Sequence, residues 1–225
     1  KPWAEHINMD AKAFVSELHP ADCQEWIHQC NEWQYPWVES PAHDDANGYI
    51  HSHRVMERLQ EHLRPDEVIV TDMGTAMIAA YQVLRLKPPQ RIMTSGGLGE
   101  MGLALPAAIG ASFARNKGEL LCLHCDGGML MNLQELQPIK HHNLPIKIIV
   151  FSNDGYGMIK ATQQNAGYER TATDSASGVS CPYFPSIAHA FRIESANINN
   201  WADFNAVIPY MLKYNGPYPV QVNID

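Results

Sequence analysis

No apolar run approaches the roughly 18 residues that a membrane-spanning helix needs, so this sequence is read as having no membrane partner. No cluster of Lys and Arg stands out, and 16 basic residues face 24 acidic ones, for a net charge of −8. Nucleic acid and anionic membrane are therefore excluded as expected partners. An anionic ligand would need backbone amides or a metal ion to hold it. The Lys1-Pro2-Trp3 start has neither an initiating Met nor the pattern of a secretory signal. The expectation is a fragment or separate subunit, working in the cytoplasm. The cysteine count is low and odd, at 5, which suits a reducing compartment and no disulfide framework.

What is present is globular. Apolar residues make up 45% of the 225 and charged residues 18%, enough to build a core without staples. Residues 5–10 are read as a short terminal strand and 21–33 as a helix carrying Cys23, Trp26, Ile27 and Cys30 on one face. The Ser40–Gly48 stretch, rich in Pro, Asp, Asn and Gly, reads as a linker. It separates a first part, residues 1–41, from a second, residues 42–225. In the second part strands and helices alternate. Helices are expected at 53–63, 76–86, 104–114, 129–142, 186–191 and 201–214. Strands are expected at 67–71, 91–94, 120–125, 146–152 and 220–224. Apolar strands alternating with helices imply an α/β fold, a doubly wound parallel sheet flanked by helices.

Two strand ends carry chemistry. Leu121-Cys-Leu-His-Cys-Asp-Gly-Gly128 ends in an acid and two glycines, and Ile146-Lys-Ile-Ile-Val-Phe-Ser-Asn-Asp-Gly-Tyr-Gly157 ends in Asn153, Asp154 and Gly155. Ligands of open α/β sheets bind outside the carboxyl ends of the strands. Asp126 offers a charged oxygen, Asn153 a neutral one, and Gly155 a backbone carbonyl, a hard donor set for Mg²⁺ or Ca²⁺. Gly127 and Gly128 let backbone approach phosphate oxygens near a helix start. The Cys122-Leu-His-Cys125 spacing mimics a zinc or redox site. Within a strand, however, an odd offset points the two thiols to opposite faces. Each feature also has an ordinary reading: a helix cap at Asp126, a turn at Asn153–Gly155, a core role for Met101 and for most of the ten methionines. His51 and His53, and His141 and His142, are read as surface or helix-end residues, not metal ligands. A non-catalytic phosphate-binding module is the alternative of a different class. It lacks a GxxxxGK[ST] loop, and Gly97-Leu-Gly-Glu-Met-Gly102 fits GxGxxG only loosely.

Taken together, these motifs resemble thiamine-diphosphate (ThDP) enzymes. That family's fingerprint is Gly-Asp-Gly, then Asn-Asn one βα unit later. The 27-residue step from Asp126 to Asn153 matches it, with Cys125 in place of the first Gly and Ser152 in place of the first Asn. The resemblance implies Asp126, Asn153 and Gly155 as Mg²⁺ ligands. The loop Ser95-Gly-Gly-Leu-Gly-Glu-Met-Gly102 and the following helix are similar to acetolactate synthases. It implies Met101 as the apolar wedge beneath the cofactor and the Gly99 carbonyl as the acceptor for its amino group. Asp72-Met-Gly-Thr-Ala76 resembles the first phosphate loop, which implies that Gly74, Thr75 and Ala76 contact the diphosphate. Tyr156, Gly157 and Met158 complete the implied cofactor shell, with Ile159 and Thr162 on the substrate side. The resemblance runs from about Tyr49 to Asp225, and residues 1–41 look like the tail of the family's central domain.

The implied activity is an acetolactate-synthase-like carboligase (a lyase or transferase) acting on a 2-oxo acid. The alternative in the same class is another ThDP-dependent decarboxylase or oxidase. In the family, a glutamate from a pyrimidine-binding domain activates the cofactor. No matching stretch is found here, so no catalytic residue is assigned in this chain. That domain is expected from the same or another chain, in a homo-oligomer, dimer or tetramer. FAD use is undecided, since its binding region would lie upstream.

Overall fold

The computed structural model describes residues 7–19, 22–32, 45–46 and 48–224. The chain divides into two compact units, residues 1–36 and 37–225. The first holds α1 (Ala11–Glu17) and α2 (Gln24–Glu32), neither with a buried residue. The expected strand at 5–10 is corrected here. Residues 5 and 6 lie outside the described residues, and Ile7–Asp10 is not extended into a strand. Asp10 instead caps α1, accepting from the N–H groups of Lys12 at 3.0 Å and Ala13 at 3.3 Å. A side-chain acceptor placed there favours a helix start. The expected linker at 40–48 falls mostly outside the described residues.

The second unit runs α3 (Ser52–Gln60), β1 (Val68–Thr71), α4 (Thr75–Val83), β2 (Arg91–Met93), α5 (Ala104–Ala114) and β3 (Leu120–Cys125). It continues with α6 (Asp126–Met131), α7 (Leu136–His141), β4 (Ile146–Ser152), α8 (Gly157–Asn165), α9 (Phe184–Ala190), β5 (Ala196–Ile198), α10 (Trp201–Lys213) and β6 (Tyr218–Asn223). The six strands form one all-parallel sheet in the order β2-β1-β3-β4-β6-β5. Alternate residues feed two cores, as a period of two requires. Ile69, Leu121, Leu123, Ile149 and Phe151 meet α3, α4 and α10 on one face. Val70, Leu120, Cys122, Ile148 and Val150 meet α5, α7 and α9 on the other. Cys122 and Cys125 accordingly lie in opposite cores, and all five cysteines are free. No described helix is long and apolar enough to cross a membrane.

The chain leaves β1 in one direction to reach β2, then returns past β1 to β3. The sheet thus reverses its winding between β1 and β3, which opens a crevice at their carboxyl ends. Two expectations for this region need correction. The helix expected over 129–142 is two helices, α6 and α7, broken at Asn132. The break coincides with a bond from Asn132 Nδ2 to the Gly102 carbonyl at 2.8 Å, a partner thirty residues away. The methionines are not mostly core: Met56, Met129 and Met211 are buried, whereas Met9, Met93, Met101, Met131 and Met158 are exposed.

Candidate functional site

Asp72, Asp126 and Asn153 follow directly on β1, β3 and β4. Asp126 is fully buried. Its Oδ1 accepts from the Gly127 N–H at 2.8 Å. Its Oδ2 accepts from the N–H groups of Asn153 at 2.9 Å and Gly155 at 3.2 Å, and from the Ser152 hydroxyl at 3.3 Å. Burial pushes the carboxyl above its usual range, and these four donors oppose the rise. The strand-end acid is thus the post around which the 153–155 turn is wound. Asn153 shows no side-chain hydrogen bond among the described residues, so its amide oxygen is available to a ligand.

Backbone geometry narrows the same region. Gly155 has φ +150°, and a Cβ there would lie 2.1 Å from the Thr173 carbonyl oxygen. Gly74, at φ +120°, backs onto the Cys125 sulfur, which accepts from the Ala76 N–H at 3.3 Å. Cys125, a departure from the fingerprint, therefore fills the floor beneath the Asp72–Ala76 loop. Burial pushes its thiol up to about 12. Ser152, the other departure, adds a donor to Asp126.

A cavity of about 210 Å³ lies over these turns. Of the residues singled out in the sequence, Gly74, Thr75, Met101, Gly127, Gly128, Asn153, Gly155, Tyr156, Gly157, Met158, Ile159 and Thr162 line it. Three do not. Asp126 and Ala76 are fully buried, and Gly99 stands off the wall, with its open side toward the Met73 side chain. The Thr162 hydroxyl bonds back to the Met158 carbonyl at 2.9 Å, leaving a short, capped side chain on the rim. Met73, Cys125, Phe151 and Ile224 also line the cavity, and none of them was read as a cofactor-binding residue. Met73 sits inside the quoted Asp72–Ala76 loop, but nothing in the sequence separates Phe151 or Ile224 from other core residues. A broader cleft of about 820 Å³ adjoins it, sharing Thr75, Asn153, Gly157, Met158 and Ile224.

Three helices begin at this cavity, α4, α6 and α8, and none is capped by the side chain of the residue before it, though the first-turn N–H groups of Ala76 and Gly127 donate to Cys125 Sγ and Asp126 Oδ1. Elsewhere α1, α3 and α10 are capped by Asp10, His51 and Asn200, while α5, α7 and α9 are not. Uncapped N–H groups at a helix start attract negative charge. The helix after β3 starts at Asp126 itself, so Gly127 and Gly128 form its first turn. A Cβ at Gly127 would lie 2.3 Å from the Tyr156 ring. The histidine pairs stand apart from the site: His53 Nε2 lies 2.6 Å from Gln82 Oε1, and His141 and His142 pack edge to face. No group of three or more His, Cys, Asp or Glu poised for a metal occurs among the described residues. Asp126 with two amide-type oxygens is a donor set outside that pattern. It fits a hard cation, with Asp126 Oδ1 carrying one protein donor and the Asn153 oxygen none.

Fold and site together define a doubly wound α/β domain with a cavity at its switch point. The family model described as "Thiamine pyrophosphate enzyme, C-terminal TPP binding domain" matches residues 72–222, thiamine pyrophosphate being ThDP. The chain belongs to this family. It is 32% identical over 223 residues to the acetolactate synthase isozyme 2 large subunit of Escherichia coli K12, covering 96% of this chain and 39% of that protein. It is 36% identical over 164 residues to the isozyme 1 large subunit of the same organism, covering 70% and 28%. A probable acetolactate synthase large subunit of Methanococcus aeolicus is 26% identical over 224 residues, covering 97% and 36%. The chain thus spans well under half the length of these relatives.

Proposed function

We propose that this chain holds the diphosphate end of ThDP, together with Mg²⁺, for an acetolactate-synthase-like carboligase acting on a 2-oxo acid. The observation that carries the reading is the meeting of three helix starts, none capped by the residue before it, over the buried Asp126. A phosphate group drawn to those N–H groups would repel the Asp126 carboxylate across a low-dielectric floor. A divalent cation between them resolves the conflict. Asp126, Asn153 and the Gly155 carbonyl are the residues to hold it, and Gly74, Thr75, Gly127 and Gly128 those to meet the phosphates.

ThDP, when bound, supplies the carbon nucleophile that adds to a 2-oxo acid. The residues of this chain bind, orient and exclude water. Met101 and Met158 present apolar surface to the ring system, and Met73, Phe151 and Ile224 keep the cavity dry. On the substrate side, the family resemblance implies that Ile159 takes the place of an acid that simple decarboxylases use for protonation. That favours carboligation over aldehyde release. The same resemblance implies that Thr162 takes the place of a bulky Trp of acetolactate synthases, which would leave room for a larger acceptor. We assign residues 42–225 to the diphosphate-binding domain and 1–41 to the tail of a central domain. A pyrimidine-binding domain, from the same or another chain of a homo-oligomer, completes the site.

Calorimetry with ThDP tests the reading, with and without Mg²⁺ and with the pyrimidine-binding domain supplied. Mg²⁺-dependent binding, lost in Asp126→Ala, is expected. No Mg²⁺-dependent binding by the unaltered chain would overturn it. With the complete enzyme and pyruvate, acetolactate is expected as the product, and acetaldehyde or acetate would reassign the reaction.

A further inference from the structure

Met101 lines the cavity yet is 40% exposed. Packing therefore does not fix it, and its place depends on the peptide that follows. That peptide is held at both ends of its polar inventory. The Gly102 N–H donates to Asp72 Oδ2 at 2.8 Å. The Gly102 carbonyl accepts from Asn132 Nδ2 at 2.8 Å, and Asn132 Oδ1 accepts in turn from Gln134 Nε2 at 2.9 Å. Gly102 has φ +90°, and a Cβ there would lie 2.6 Å from the Met131 Cβ, so only glycine suits the position.

The arrangement costs the fold something. Asn132 interrupts what would otherwise be one helix from Asp126 to His141. Asp72 and His124 are both fully buried, 3.2 Å apart, with Asp72 Oδ1 and both His124 nitrogens lacking a hydrogen-bond partner. Buried polar atoms left unsatisfied disfavour folding, and a sheet built only for stability would place apolar side chains there.

We propose that Asp72 and Asn132 are positioning residues that clamp Gly102 from both sides and so fix Met101 on the cavity wall. His124 Nδ1 lies 3.2 Å from the same Asp72 Oδ2, with no hydrogen bond between them. The clamp stands on geometry alone; its purpose, holding the wedge under the cofactor, rests on the ThDP reading above.

The test is amide hydrogen exchange, read residue by residue by NMR on the full chain without cofactor. Asn132 is only partly buried, so Asn132→Ala should fold even where Asp72→Ala does not. In Asn132→Ala the Gly102 amide is expected to exchange about tenfold faster or more, while the amides of β3 and β4 keep their protection. Asp72→Asn retains an acceptor oxygen and is expected to keep most of the Gly102 protection that Asp72→Ala loses. Unchanged exchange at Gly102 in Asn132→Ala would overturn the clamp. So would an equal rise at Gly102 and in β3 and β4, which would mark general loosening. ThDP calorimetry with Mg²⁺ and the pyrimidine-binding domain then separates the two claims. Binding by the unaltered chain, weakened several-fold in Asn132→Ala, ties the clamp to the cofactor. Equal binding by both chains would detach the clamp from it. No binding by the unaltered chain would remove the cofactor reading, with the clamp decided by exchange alone.

Discussion

Glycine positions around the cavity differ in what stands where a Cβ would be, and the differences set measurable costs. At Gly128 the obstacle is Asp72 Oδ2 at 1.9 Å. That oxygen is tied to the Gly102 N–H and cannot retreat without breaking the bond. At Gly127 the obstacle is the Tyr156 ring, a side chain that can turn. At Gly96 and Gly97 nothing lies within 4 Å. Gly128→Ala is therefore expected to lose about 1–3 kcal/mol of stability through overpacking. Gly96→Ala and Gly97→Ala should stay within about 0.5 kcal/mol of the unaltered chain. Urea midpoints measure this, and equal midpoints for Gly128→Ala and Gly96→Ala would contradict it. A second residue, Lys147, lies in β4 with 1% exposure at the opposite end of the sheet. Its amine donates to the carbonyls of Tyr214 and Gly216 and faces Glu119 at 3.6 Å. Burial lowers its affinity for the proton, and Glu119 opposes that. Lys147→Met strands two carbonyls and should cost about 1–3 kcal/mol, read by the same midpoints, with no change at the cavity.

Among the elements, α8 is held differently from its neighbours. It buries no residue, so it has no apolar stripe for a sequence pattern to reveal, and none was read there. Its anchors are polar. Lys160 pairs with Asp174 at 3.2 Å, and Gln163 exchanges two bonds with Thr171, at 3.0 and 3.1 Å. The Ser177 hydroxyl holds the Asp174 carboxyl below its usual range, helped by Lys160 and Arg170. A carboxyl depressed in the folded state contributes its stability above the ordinary carboxylate range and loses it as pH falls below that range. The α8 tether should thus weaken only in acid, and Asp174→Asn should reproduce that at neutral pH. Faster amide exchange over 157–165, with β3 and β4 unchanged, is the expected reading; unaltered exchange there would place the tether elsewhere. The break at Asn132 was illegible for a related reason. It depends on Gly102, thirty residues away, and local periodicity carries no such information. By contrast, β3 and β4 were legible because apolar runs bounded by polar strand ends mark a doubly covered sheet. Asp126 and Asn153 were legible as polar residues at those ends. Phe151 and Ile224 were not, since only the sheet order turns ordinary apolar residues into cavity wall.

At the scale of the whole molecule, the cavity can receive a ligand but has little with which to move a proton. No carboxylate, imidazole or amine is among the side chains that line it. Asp126 lies below the floor, occupied by four donors. The Cys125 thiol on the wall sits at about 12 and stays protonated at neutral pH. General acid–base work needs a group whose pKa lies near the working pH and within hydrogen-bond reach of the reacting atom. Met101, Met158 and Ile159 line the cavity and are exposed, so one side of it is open. On the proposed function, a further domain brings the missing carboxylate. The chain alone, loaded with ThDP and Mg²⁺, is therefore expected to release no CO₂ from pyruvate above the rate of free ThDP. Adding a pyrimidine-binding domain should restore turnover, and replacing that domain's activating glutamate by Gln should remove it again. Labelled CO₂ release measures all three. Turnover by the isolated chain would mean that a group within it moves the proton after all, and the Tyr156 phenol on the cavity wall would be the first to substitute.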